Sequence, residues 1–263
     1  MKKHICSLLI IVIIAGCMVS EKRLAAERLS GIRKIVVVPV EPPPLTLGPA
    51  ILEALGDVPV ISGYPPEGVA ALTLISGIVV LTQQSKYEEK RENVLKVLEE
   101  WYSNDKTWVP TRVLAHEAAN KISKTNSFEV ILKKEMLTLP VEKRETTLLM
   151  ENWNAPLRAW YNKDTSTLNI DEYQRQGVDA ILEVGIGIYE IFRGYFVMQV
   201  LTKIVTVPSG RVEARARFIT DNPPPIGLPD ELFRNQGEKF KKIFMIEGRK
   251  QLNDNLKKIG LLP

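Results

Sequence analysis

The chain has 263 residues, with 35 basic and 31 acidic side chains and a formal net charge of +4. A hydrophobic fraction of 45% beside 25% charged residues marks a globular chain, and the near-balance of charge excludes a nucleic-acid binder. Two cysteines, Cys6 and Cys17, and two histidines, His4 and His116, leave too little material for thiolate metal sites or histidine ligand pairs.

Lys2 and Lys3 form a positive start, Leu8 to Ile14 a short aliphatic run, and Ala15-Gly16 a pair of small residues. That order is the layout of a secretory signal, and the run is shorter than the roughly 20 residues of a permanent span. Ile14-Ala15-Gly16-Cys17 resembles the lipobox of bacterial lipoproteins. The resemblance implies cleavage between Gly16 and Cys17, a diacylglyceryl group on the Cys17 thiol, and acylation of the freed amine. Two or more chains anchor a protein stably to a membrane. Met18 stands where aspartate would resemble an inner-membrane retention signal, which points to the outer membrane, facing the periplasm. Cys6 leaves with the leader, so the mature chain has neither a free thiol nor a disulfide. Loss of Lys2 and Lys3 leaves 33 basic against 31 acidic residues, a net +2.

Residues 17–33 then read as a charged, lipidated tether, and 34–263 as one domain. Lys34 opens a β-branched strand, Ile35-Val36-Val37-Val38, which Pro39 and Pro42-Pro43-Pro44 end. Leu47–Leu55 predicts a short helix and Val58–Ile61 an extended piece. Gly68–Ser85 carries no charge; a buried core element, a docking surface and a membrane span all remain open for it. Lys86–Tyr102 and Thr107–Lys124 predict amphipathic helices, the second with Pro110 in its first turn and Val113, Leu114, Ala118 and Ile122 inward. Phe128–Leu132 predicts a strand and Val141–Asn152 a charged helix. A break is expected at Trp153-Asn154-Ala155-Pro156, then a helical turn over Leu157–Tyr161. A helix over Asp171–Gln176 stops at Gly177.

The C-terminal half predicts a meander. A first strand runs to Ile191, with Leu182, Val184, Ile186 and Ile188 on one face. Tyr195–Val207 is the second. After the Pro208-Ser209-Gly210 turn, a third places Val212, Ala214, Ala216 and Phe218 inward and Arg211, Glu213, Arg215 and Arg217 outward. Asp230–Leu256 predicts a final helix with Phe233, Phe240, Phe244 and Leu252 along one side. The sum is an α+β fold: β/α units plus a three-stranded antiparallel meander in one mixed sheet, helices packed on it, and a C-terminal helix.

Strand Lys34–Pro39, strand Phe128–Leu132, a helix ending at Gly177, Val178-Asp179-Ala180-Ile181-Leu182-Glu183-Val184-Gly185 and the Pro208-Ser209-Gly210-Arg211 turn follow one another in a fixed order. That order resembles periplasmic lipoproteins of the curli-secretion-pore and penicillin-binding-protein-activator type. The resemblance implies the fold and an envelope setting and carries over no functional residue. Leu45–Ser85 and the stretch from Leu132 to Tyr173 are enlarged relative to it.

Little chemistry is legible. His116 precedes Glu117 without a second histidine. Gly185-Ile186-Gly187 is a GxG with Glu190 in place of the third glycine, inside a strand, which favours a bulge or close packing over dinucleotide binding. Glu183 and Glu190 are the carboxylates nearest a strand. Arg211, Arg215 and Arg217 form a basic row that reads as a solvated face or as a site for anionic glycan or lipid headgroups. Trp153, Trp160 and Tyr161 read as core or as a partner site. The expectation is a non-enzymatic envelope lipoprotein without metal or cofactor, anchored through Cys17. It would serve as a protein-binding assembly or activation module, docking through Val69, Leu74, Leu81, Trp153, Trp160 and Tyr161. The alternative is an oligomeric secretion or export component at the outer membrane.

Overall fold

The computed structural model describes residues 24, 27, 30–47, 96, 101, 107–125, 128–142, 151–192, 195–226 and 229–263. Gly16, Cys17, Val69, Leu74, Leu81, the elements expected over 48–85 and most of those over 86–102 and 143–150 lie outside the described residues. The fold is α+β, as the residue pattern predicts. In chain order it runs β1 (Lys34–Pro39), β2 (Thr46–Leu47), α1 (Pro110–Thr125), β3 (Glu129–Leu132), α2 (Glu151–Asn162), α3 (Ile170–Arg175), β4 (Ala180–Phe192), β5 (Tyr195–Thr206), β6 (Val212–Ile219) and α4 (Pro229–Ile259).

One mixed sheet has the order β3-β1-β4-β5-β6, and β2 pairs with the far end of β4. β1 lies parallel to both neighbours, with Ile35 opposite Val130 and Ala180. The rest is an antiparallel meander. The step from β1 to β3 and the step from β3 to β4 run in opposite directions along the sheet. A common hand for both crossovers therefore puts their helices on opposite faces. The two cores show it. Ile35 and Val37 join Leu114, Ala118 and Ile122 of α1 and Phe240, Phe244 and Leu252 of α4. Val36 and Val38 join Trp153, Leu157 and Trp160 of α2 and Tyr173 of α3. A strand enclosed on both sides needs a continuous apolar run, which is what β1 has.

Several expectations change. Helix α2 passes through Pro156 with no break. A proline inside a helix costs about 3 kcal/mol. Burial of Trp153, Leu157, Trp160 and Tyr161, spaced 4, 3 and 1 apart on one face, offsets that. The β4–β5 register shifts between Ile186 and Ile188. Tyr189 and Ile191 thereby join Leu182, Val184 and Ile186 in the larger core, and Ile188 turns to the α2 side. A second shift, between Ile204 and Val205, puts Val212 with the α2 core and Ala214 and Ala216 with the other. Bulges of this kind break the simple period-2 pattern. Helix α4 bends at Arg234–Gly237, where Asn235, Gln236 and Gly237 have positive φ. There the Trp101 indole donates to the Gln236 carbonyl at 3.0 Å.

The expected tether is not wholly free of the domain. Leu24 and Ile32 are buried in the larger core, and the Leu24 amide donates to Ile259 O at 3.3 Å. At the same end of the sheet Asp179 Oδ2 accepts from the amides of Arg33 and Lys34, at 2.8 and 2.9 Å, fixing how β1 enters beside β4.

Gly185 lies under the Trp160 ring: a Cβ there would stand 2.6 Å from Cη2 and 2.8 Å from Cζ3. Gly185→Ala is expected to cost about 1–3 kcal/mol through overpacking. It should appear as a lower denaturant midpoint at constant slope; an unchanged midpoint would show that Trp160 does not hold this seat.

Candidate functional site

Three strands place one charged side chain each in a row across the α2 face of the sheet. Glu183 on β4 is directly opposite Lys203 on β5, and Lys203 is opposite Arg215 on β6. Directly opposed residues share a face, so the three form a row. Lys203 Nζ lies 3.1 Å from Glu183 Oε2, and both residues are 0% exposed. The same ammonium donates to Trp160 O at 2.9 Å and sits 5.0 Å from the centre of the Trp160 ring. Glu183 also accepts from Trp160 Nε1 at 2.6 Å and from Ser166 Oγ at 2.5 Å. Arg215 donates to the carbonyls of Asn162 and Lys163 and pairs with Asp164 Oδ1 at 2.8 Å.

These contacts make one device. The last carbonyls of a helix carry partial negative charge and have no partner within the helix. Lys203 and Arg215 supply the donors for the end of α2. Burial pushes the Lys203 ammonium below the usual lysine range, against the opposing pull of Glu183. Arg215, expected on a solvated row, is therefore a buried brace, and Glu213 is buried with it.

One row further along the strands the device ends and a cleft of about 500 Å³ opens. Its α2 wall holds Asn154, Leu157, Arg158, Tyr161 and Asn162; its sheet wall holds Gly187, Ile188, Gln199, Leu201 and Arg217. Gly187 sits at the β4 bulge, and a Cβ there would stand 2.5 Å from Gln199 Oε1. The bulge thus sets the depth of the floor. Asn154, Arg158 and Asn162 are four residues apart, a polar stripe beside the buried stripe of the same helix. That spacing was available in the sequence, but an expected break at Pro156 hides it. Of the basic row, Arg217 alone lines this cleft.

The aromatic residues expected to dock a partner are in the interior. Trp153, Trp160 and Tyr161 are only 4–6% exposed, because α2 turns them onto the sheet. Glu183 is consumed by the buried network. Glu190 stands seven residues along β4, about 23 Å away at 3.3 Å per residue, too far for the two to act as a pair. Burial raises the Glu190 carboxyl above its ordinary value. His116 is exposed on α1, 3.1 Å from Asn120 Nδ2. In the C-terminal basic group, Arg249 pairs with Glu117 at 2.7 Å, holding that carboxyl below its ordinary value, and Lys241 and Lys258 lie over the rings of Trp108 and Phe218. Among the described residues no group of His, Cys, Asp or Glu is arranged to hold a metal ion, and no helix is long and apolar enough to cross a membrane.

No family model and no curated protein matches the chain. Among solved structures it is similar to the PelC dodecamer from Paraburkholderia phytofirmans, at 10% identity and TM-score 0.36 over 92% of this chain and 95% of that one. It is also similar to the hypothetical protein CT253 from Chlamydia trachomatis, at 8% identity and TM-score 0.34 over 86% and 95%. Likeness at this level places the chain in no family, and nothing about its partners follows from it.

Lys203→Met, which leaves Glu183 buried without its counter-charge, is expected to cost about 3–5 kcal/mol. Adding Glu183→Leu should return only part of that, because Trp160 Nε1 and Ser166 then lose their acceptor. The lowered Lys203 pKa has a signed consequence. Between the folded value and 10.5 the unfolded chain binds the extra proton, so stability rises with pH across that window. Denaturation at several alkaline pH values should show this slope in the wild type and not in the double variant.

Proposed function

We propose that the chain is an exported lipoprotein, held by acyl groups on Cys17 to the periplasmic face of the outer membrane. Its α+β domain binds another envelope protein as an assembly or activation module and catalyses no reaction. The observation that carries the reading is Ile14-Ala15-Gly16-Cys17 at the end of a short aliphatic leader. The fold adds a spatial argument. Leu24 is the first described residue packed on the domain, seven residues after Cys17. Even fully extended, that segment reaches only about 25 Å. Such a leash keeps the domain beside the membrane, where a partner embedded in or lying on the same membrane meets it at high effective concentration. Confinement of this kind suits a binding module, because a modest interface then suffices.

Intact-mass analysis of protein extracted from membranes is expected to give a mature chain beginning at Cys17 with two or three acyl chains. Cys17→Ala should remain unprocessed and carry none. A wild-type protein with its leader in place, or a mature N-terminus without acyl mass, overturns the anchoring. Crosslinking in intact cells is expected to trap a different envelope protein. A closed ring of identical copies would instead favour an export component.

A further inference from the structure

Arg158 comes into the α2 cleft from the helix, and Arg217 from the sheet. Arg215 and Arg249 are each paired with a carboxylate; among the described residues neither Arg158 nor Arg217 is. Among the described residues no aspartate or glutamate lines the cleft. Two guanidinium groups around one cavity are complementary to anionic oxygens, and their planar forks suit carboxylates. The volume falls in the range of ligand sites. Asn154, Asn162 and Gln199 add groups that both donate and accept, as a peptide backbone requires. Leu157 and Leu201, both buried, close the bottom of the cleft, and the floor continues onto β6. There Ile219, opposite Gln199 and so on the same face, is 42% exposed. An exposed isoleucine beside two guanidinium groups favours a peptide, which carries apolar side chains, over an anionic glycan, which has none to place there.

We infer that the cleft between α2 and the β4–β6 sheet binds an acidic peptide segment of the partner protein. Carboxylates of the segment pair with Arg158 and Arg217, and an apolar side chain covers Ile219. The inference rests on the protein-binding reading above and gives it a site.

The test uses the mature lipidated protein in uncharged detergent and fluorescence anisotropy. The probe is a labelled decapeptide of alternating glutamate and leucine, compared with its glutamine counterpart. A hexasaccharide of uronic acid serves as competitor. The acidic peptide is expected to bind, with affinity falling as salt rises, and the glutamine peptide at least about tenfold more weakly. Arg158→Ala and Arg217→Ala should each weaken binding about tenfold while the thermal midpoint stays unchanged, the loss expected for one charge-assisted hydrogen bond. Gly187→Leu should weaken it with both charges in place, by filling the floor. Equal affinity for the two peptides, or unchanged affinity in the double arginine variant, overturns the inference. So does binding of the hexasaccharide with none of the peptide. These outcomes leave the acyl mass and the crosslinked partner untouched, so the cleft and the anchored-module reading fail separately.

Discussion

Glu183 and Lys203 meet beneath α2 with no access to water, and the seating of that helix follows from their needs. Charges taken out of water are costly unless fully paired and hydrogen-bonded. Every partner that meets this demand comes from one short stretch: the Trp160 indole and carbonyl, Ser166, and, for the neighbouring Arg215, the Asn162 and Lys163 carbonyls with Asp164. A shift of α2 by one turn would strand all of them at once. An apolar interface could slide at small cost; this one has a single register. The Trp160 ring then falls on β4 at Gly185, where only a residue without a side chain fits. The cleft opens beyond that seat, where Gly187 and Gln199 form its floor.

The opposite face of the sheet is pinned by amides instead. Gln251 accepts from the Val200 amide and donates to Met198 O and Thr220 Oγ1, and Asn255 donates to Val200 O. Around them Tyr189, Phe196, Phe240 and Phe244 pack edge-on or tilted, with centroids 5.3–6.5 Å apart. Both faces thus use buried polar atoms to fix position and aromatic rings to fill volume.

The fold was legible where periodicity is local and unbroken. β1 reads as doubly buried from its aliphatic run, α1 from its spacing, and Gly177 as a helix stop, which its φ of 66° fits. Reading failed where one residue changes phase. The bulge at Gly187 changes the face of β4 only beyond Ile186, and the shift near Glu213 moves Val212 while Ala214 and Ala216 stay where the alternation puts them; neither alters composition. Pro156 looked like a terminus because tertiary burial, invisible along the chain, outweighs its local cost. The site was legible only in fragments. Arg217 stood out within a basic row, but its separation from Arg215 depends on where α2 ends. Arg158 gained meaning only once Asn154 and Asn162 were known to share one continuous helix.

Under the proposed anchoring at Cys17, Leu24 is where a pull from the membrane would first reach the described part of the domain. Leu24 lies in the core, and its amide donates to the carbonyl of Ile259, the last residue of α4. The load would therefore fall on the end of that helix as well as on the chain leading into β1, so that the sheet is not drawn out by its first strand alone.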